Sequence, residues 1–400
     1  MKSKSVKSVV MLLLVGTLLG GCSGKSANDY YKEGIQYFKS KEYEKASEDL
    51  SKALEMNPER AEYYIDYGMS LIMLGRYDEA IQNFDSAMLD KDNAIVKQNN
   101  KTALRGKGIA YLKSHNYTEA IIQFDNALAI NELSDLNMDI LYYKGNAEQS
   151  AGLYEDALKT YTAILDKKNS DAAVYSSRAF VYNKLGAYDK SIADYDKAID
   201  LNKDNYDYYF GKYALMIENN DTEGAAEVLK QASNIKVVTQ EDKYNLAKIH
   251  YFMGEYDTAI SELSDAFRNG FTESYYYLGE IYEKEEDYES AVYNYSMFID
   301  DETQVKSAAV YNKIAMCLMK LEKYEDALSY IQAGIKLNDF STNKALKRNE
   351  IIAYEHAGKF EKAYALMMDY LKNYPDDEEA IKENEFLKTR LPEVSTIKEE

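Results

Sequence analysis

The 400-residue sequence has no tryptophan, three prolines, two cysteines and three histidines. So few prolines leave long helices free to form almost anywhere in the chain. Two cysteines exclude a framework of disulfide bonds, and the three scattered histidines lack the helical spacing of a metal site such as HExxH. Packing of side chains must therefore stabilise the fold, and no metal or other cofactor is predicted.

Basic residues are also in the minority, and the net charge is −20. A surface of this sign is repelled by the phosphates of nucleic acid, so a nucleic-acid partner is not expected. The same surface is repelled by anionic lipid headgroups. Contact with a membrane would therefore need a covalent anchor.

The first residues have the pattern of an export signal. Residues 1–7 are basic, and the apolar run at 9–19 is eleven residues long, too short for a comfortable membrane span. Leu19, Gly20 and Gly21 precede Cys22, and this stretch resembles the lipobox of bacterial lipoproteins. The resemblance implies that residues 1–21 are removed and that Cys22 carries a diacylglyceryl group. The alternative is an ordinary signal peptide with a chance cysteine beside the cleavage site.

A lipidated Cys22 would anchor the chain to a membrane, facing away from the cytoplasm, through a tether of residues 22–27. Two acyl chains anchor a protein stably, whereas one binds only marginally. The residue after the cysteine is Ser23 rather than aspartate, which in lipoproteins implies sorting to the outer membrane if the organism has one. The second cysteine, Cys317, lies in an amphipathic segment and is expected to be a buried, inert thiol.

In the rest of the chain, an amphipathic sequence pattern typical of helices occurs ten times. The equivalent small residues recur 32 to 40 residues apart, and they are Ala46, Ala80, Ala120, Ala157, Ser191, Ala225, Ala259, Ala291, Ala327 and Ala363. A period near 34 residues indicates a solenoid of repeated units. Each unit divides into two amphipathic helices joined by a short turn, as in "EYYIDYGMSLIML", "GRYDE" and "AIQNFDSAMLD".

The units resemble the tetratricopeptide repeat. That family has a small residue at position eight, held here by Gly34, Gly68, Gly108, Gly145, Ala179, Ala247, Gly279 and Ala315. Position 24 takes a large residue, here Leu50, Phe84, Phe124, Tyr161, Tyr195, Leu229, Leu263, Tyr295, Ile331 and Met367. The resemblance implies an all-α fold, a right-handed α-α superhelix of about ten helix-turn-helix repeats over 27–377. A capping helix over 378–391 and a flexible tail at 392–400 would follow.

Some positions depart from the repeat. Tyr213 and Ile351 occupy the small position, so the sixth and tenth units are expected to be splayed or repacked. Extra residues at 91–100 and 131–135 predict lengthened loops between neighbouring units.

No pattern of catalytic residues is found. No serine lies in a GxSxG motif, and Gly106 and Gly108 lack the preceding strand and third glycine of a phosphate-binding loop. Acid pairs fall in turns, where they cap helices. The chain is therefore predicted not to be an enzyme.

The resemblance instead implies binding of a protein or peptide in a concave groove lined by the first helices. The groove residues would be Tyr142, Asn146, Phe180, Asn183, Phe210, Tyr244, Lys248, Tyr251, Phe252 and Tyr276. They lack the lysine–asparagine pair with which chaperone-binding members hold a C-terminal carboxylate. A groove of aromatic, amide and hydroxyl groups suits an extended or helical peptide.

The predicted function is a lipid-anchored interaction scaffold of the cell envelope; the alternative is a surface lipoprotein that binds glycans or peptides. The oligomeric state stays open.

Overall fold

The computed structural model describes residues 25–301 and 304–391. These residues form helices, turns and loops without a strand, and the predicted all-α helical-repeat fold is confirmed. The predicted signal peptide, the lipidation site Cys22 and the tail at 392–400 lie outside the described residues.

The chain divides into two units, residues 1–201 and 202–400. Over residues 25–201, the first unit holds five helix pairs. Its helices are α1 (Ala27–Lys39), α2 (Tyr43–Met56), α3 (Ala61–Met73), α4 (Tyr77–Ala87), α5 (Ala94–Lys113), α6 (Tyr117–Ala129), α7 (Asn137–Ser150), α8 (Tyr154–Lys167), α9 (Ala172–Lys184) and α10 (Tyr188–Leu201). A short 3₁₀ turn, Ser134–Leu136, precedes α7.

The second unit holds five more pairs and a final single helix. Its helices are α11 (Tyr206–Glu218), α12 (Thr222–Ala232), α13 (Gln240–Met253), α14 (Tyr256–Arg268), α15 (Ser274–Lys284), α16 (Tyr288–Asp300), α17 (Ala308–Lys320), α18 (Tyr324–Lys336), α19 (Phe340–His356), α20 (Phe360–Asn373) and α21 (Glu378–Thr389). Helix α21 packs against α20. Its role as a cap for the last repeat stays a prediction.

The small residues of the first helices allow the two helices of a pair to approach closely. A Cβ atom added at Gly145 would lie 2.6 Å from Cε1 of Tyr161, and one at Gly279 would lie 2.6 Å from Cδ1 of Tyr295. Both tyrosine side chains are fully buried. The glycine of one helix and the ring of the next therefore fill a single space, which explains why a small residue is followed by a large one in eight of the units.

The departures from the repeat are accommodated in different ways. Tyr213 is half-buried and its ring centroid lies 4.9 Å from that of Phe252, while Ile351 is buried in an apolar cluster beside α20. The prediction of a loop over 91–100 was wrong for residues 94–100, because Asn93 caps the backbone N–H of Val96 and begins the 20-residue helix α5 there. The insertion at 131–135 is a loop that ends in the 3₁₀ turn.

Candidate functional site

A cavity of about 510 Å³ opens in the second unit on the side of its first helices α13, α15 and α17. Tyr244 and Lys248 lie one turn apart on α13, so both side chains project from the same face of that helix. Helix α16 and the segment that precedes α17 complete the wall. The lining residues are Tyr244, Lys248, Glu273, Tyr276, Tyr277, Phe298, Val305, Ser307, Ala309, Val310 and Lys313.

Lys248 is surrounded by aromatic rings. Its Nζ atom lies 4.3 Å from the ring centroid of Phe210, 5.4 Å from that of Tyr244 and 6.0 Å from that of Tyr277. Within the described part of the chain, no carboxylate oxygen lies within 4.0 Å of this Nζ. Burial lowers the pKa of Lys248 from its ordinary value, although nearby acidic side chains act in the opposite direction. The ammonium group is thus attracted to ring faces, and it forms no ion pair with any described residue.

Lys313, on the other side of the cavity, is fully paired. Its Nζ lies 3.2 Å from Oε1 of Glu280 and 3.0 Å from Oε2 of Glu283. Glu280 also accepts hydrogen bonds from the hydroxyls of Tyr251 and Tyr276. Burial alone would raise the pKa of Glu280, but these hydrogen bonds and the charge of Lys313 outweigh it and hold the pKa below its usual value. This network fixes one wall of the cavity.

The structure brings together the predicted groove residues of the second unit. Phe252 contacts both Phe210 and Tyr251, with ring centroids 5.9 Å and 5.0 Å apart, and Tyr276 lines the cavity beside Tyr244. Two of these side chains are mostly covered: Tyr244 is 8% exposed and Tyr251 is 7% exposed. Tyr251 therefore supports the wall and presents little surface to a ligand.

The predicted groove residues of the first unit are described separately. Asn146 accepts a hydrogen bond of 2.7 Å from the hydroxyl of Tyr161, and Asn183 is half-buried on α9. The ring of Phe180 is covered by Lys184, whose Nζ lies 5.4 Å from its centroid. Tyr142 lines a second cavity, of about 350 Å³, formed by α7, α8 and the beginning of α9.

Several lining residues were missed from the sequence. Glu273 and Ala309 occupy position two of their units, which the family pattern counts as a groove position, so that rule could have identified both. Tyr277 and Lys313 occupy position six, which the pattern does not include. Phe298 comes from a second helix, and no spacing within one unit signals its place in the cavity.

Three further observations concern the rest of the chain. Among the described residues, no group of three or more His, Cys, Asp or Glu side chains is placed to hold a metal ion. Cys317 is buried, and burial raises the pKa of its thiol to about 12, so the reactive thiolate is strongly disfavoured. No helix over residues 25–301 and 304–391 is long and apolar enough to cross a membrane.

Models of the tetratricopeptide repeat match residues 31–94, 105–173, 172–205, 244–300 and 308–340, together more than half of the sequence. The chain belongs to the tetratricopeptide-repeat family. These matches cover most of α13 and all of α15, which hold Lys248 and Tyr276. The tetratricopeptide repeats of this chain thus supply most of the lining of the cavity.

The chain is similar to known members of the family. It is 31% identical to the Hsp70-Hsp90 organizing protein of Triticum aestivum over 226 residues, which is 48% of this chain and 38% of the relative. It is 24% identical over 384 residues to the TPR repeat-containing protein MJ1428 of Methanocaldococcus jannaschii, covering 86% of this chain and 63% of that protein. A solved tetratricopeptide-repeat protein from Parabacteroides merdae is 15% identical, with a TM-score of 0.47, over 63% of this chain and 98% of that one. The chain spans 38% to 41% of the length of the first three Hsp70-Hsp90 organizing proteins that it matches.

Proposed function

We propose that this chain is a non-enzymatic, lipid-anchored scaffold of the cell envelope that binds a protein or peptide partner on the face of its first helices. The observation that carries the binding role is the cavity of the second unit, where aromatic rings surround an ammonium group that forms no ion pair within the described part of the chain. Concave, largely apolar sites with a few convergent polar groups are typical of ligand binding. Aromatic side chains in such sites are frequent hot spots of protein interfaces.

The anchor is proposed from the sequence before the first helix. Cys22 follows an apolar stretch of signal length and two glycines, and α1 begins at Ala27. Residues 22–27 would form the tether, which spans at most about 20 Å when fully extended. The scaffold would therefore stay close to the membrane that holds its lipid, on the side away from the cytoplasm.

The anchor is tested by growing cells with an alkyne analogue of palmitate and isolating the full-length protein. The wild type should incorporate the label and sediment with membranes, whereas Cys22→Ser should be unlabelled and recovered apart from membranes. A labelled Cys22→Ser variant, or an unlabelled wild type, would contradict the proposed lipidation.

Partner binding is tested by crosslinking in cells followed by affinity capture of the full-length protein. Ala309 is exposed on α17 and lines the cavity, so Ala309→Arg should block the cavity without disturbing the core. Thr258, exposed on α14 and absent from the lining, provides the matched control Thr258→Arg. A protein captured by the wild type and by Thr258→Arg but lost from Ala309→Arg would support the proposal. Equal capture by all three proteins, or capture of nothing, would contradict it.

A further inference from the structure

Three hydrogen-bond donors line the cavity, and none of them has an acceptor among the described residues. The Nζ of Lys248 and the hydroxyls of Tyr244 and Tyr277 donate to no group within the described residues, and all three side chains line the cavity. Burial raises the pKa of both tyrosine hydroxyls, that of Tyr277 to about 12, so both keep their protons at neutral pH. Such a set of donors is complementary to an oxygen acceptor that carries negative charge.

Among the described residues that line the cavity, Lys248 alone offers a ligand an unpaired positive charge. The other lysine of the cavity, Lys313, already pairs with two carboxylates, Glu280 and Glu283, so this cluster has an excess of negative charge. Glu273 also lines the cavity and brings one negative charge to it. A single carboxylate would therefore match the site better than a doubly charged phosphate group, which Glu273 would repel.

The rest of the wall is apolar. Phe298, Val305 and Val310 face the cavity, and Val305 is 87% exposed. A volume of about 510 Å³ accommodates more than a carboxylate, and burial of the exposed valine by a ligand would stabilise the complex. The ligand should therefore join an apolar group to its carboxylate.

We propose that this cavity binds a peptide segment in which an acidic side chain adjoins an aromatic or large aliphatic one, with the carboxylate on Lys248 and the apolar group against Phe298 and Val310. This inference rests on the proposed scaffold function and states which peptide chemistry the scaffold selects. The hydroxyls of Tyr244 and Tyr277 supply further donors to the same carboxylate. The acidic surface of the chain would then exclude strongly anionic peptides and leave those with a single acid beside an apolar residue.

The test uses the full-length protein in detergent and two capped tetrapeptides, acetyl-Gly-Phe-Glu-Gly-amide and its Gln counterpart. Their dissociation constants are measured by ligand-observed NMR titration. Because a hydrogen bond to a charged group contributes about 1.5–3 kcal/mol, the Glu peptide should bind at least about tenfold more tightly than the Gln peptide. Lys248→Met should reduce this ratio to about one, and Lys248→Arg should retain most of it.

Lys284→Met is the matched control. The ammonium group of Lys284 also lies over two rings, at 4.8 Å from Tyr251 and 5.3 Å from Tyr256, but Lys284 is exposed and does not line the cavity. This variant should keep the wild-type ratio. Equal affinity for the two peptides, no binding of either, or an unchanged ratio in Lys248→Met would each overturn the inference.

The two proposals fail in distinguishable ways. If Ala309→Arg loses its captured partner while the peptides do not discriminate, the scaffold function stands and the assignment of carboxylate to Lys248 is wrong. If the peptides discriminate through Lys248 while Ala309→Arg captures the same proteins as the wild type, the cavity binds carboxylates but is not the site of partner binding.

Discussion

At the scale of single residues, pairs of one small and one large side chain define the repeat. Gly279 and Tyr295 are such a pair, and so are Gly145 and Tyr161. The hydroxyl of Tyr295 also donates a hydrogen bond of 2.6 Å to Oε2 of Glu283, which in turn pairs with Lys313 at the cavity. Packing inside a helix pair thus connects directly to the position of one wall of the cavity.

Replacement of Gly279 by valine should destabilise the second unit. Its Cβ would lie 2.6 Å from the buried ring of Tyr295, and overpacking of this kind costs about 1–3 kcal/mol. The free energy of unfolding is measured by urea denaturation followed by circular dichroism. Ala214→Val, at an exposed site on α11, places a valine in a helix without overpacking the core and should cost less than about 1 kcal/mol. Equal losses in the two variants would contradict the packing argument.

At the scale of elements, each helix pair turns through a residue with left-handed backbone geometry. Gly254 has φ of 79° between α13 and α14, while Glu286 has φ of 61° between α15 and α16. Five of the ten turns use glycine and five use another residue, which must bear the steric cost of this conformation. The two kinds of turn share a positive φ but differ in the steric cost of adopting it.

Glu286→Gly should therefore stabilise the second unit by about 0.5–1 kcal/mol, because glycine adopts positive φ without a steric penalty. Thermal unfolding followed by calorimetry measures the change. The neighbouring Glu285 has φ of −82°, so Glu285→Gly removes the same charge without relieving strain and should not stabilise the protein. A gain of equal size in both variants would point to charge rather than to backbone geometry.

The sequence predicted elements better than it predicted the site. The register of small and large residues indicated the helix pairs, since helix crossing depends on one side chain in each helix. The start of α5 was missed because the polar stretch before Thr102 has no helical periodicity, and only the cap at Asn93 marks it. Three helices supply Tyr277, Phe298 and Lys313 to the cavity. Whether these side chains come together depends on how each helix is rotated about its own axis, which the sequence of one repeat does not specify.

At the scale of the whole molecule, its 39 tyrosines should make stability sensitive to alkaline pH. Burial raises the pKa of Tyr195 to about 12 in the first unit and that of Tyr277 to about 12 in the second. Below about pH 10 these phenols are neutral in both the folded and the unfolded state, so their burial does not reduce the free energy of unfolding. Above about pH 10 the unfolded state loses protons first, so stability falls with rising pH until the folded pKa is reached.

The free energy of unfolding should therefore decrease as the pH rises through about 10. The absorbance of phenolate should rise at a higher pH in the folded protein than in the unfolded protein. Tyr195 makes no hydrogen bond through its hydroxyl within the described residues, and its pKa is raised by burial alone. Tyr195→Phe should therefore change stability little at neutral pH and reduce the alkaline loss by up to about 3 kcal/mol. An alkaline loss of the same size in this variant would contradict the role of the buried phenol.

Binding of a partner at the cavity is the claim on which the function depends, and site-specific photocrosslinking in cells tests it most directly. The photoreactive residue p-benzoylphenylalanine replaces Ala309 at the cavity or, as a control, Tyr293, which is 60% exposed on α16 and does not line the cavity. Crosslinking from position 309 alone, to one envelope protein at a segment where an acid adjoins an apolar residue, is the predicted result. Identical crosslinks from both positions, or none from position 309, would contradict partner binding at this cavity.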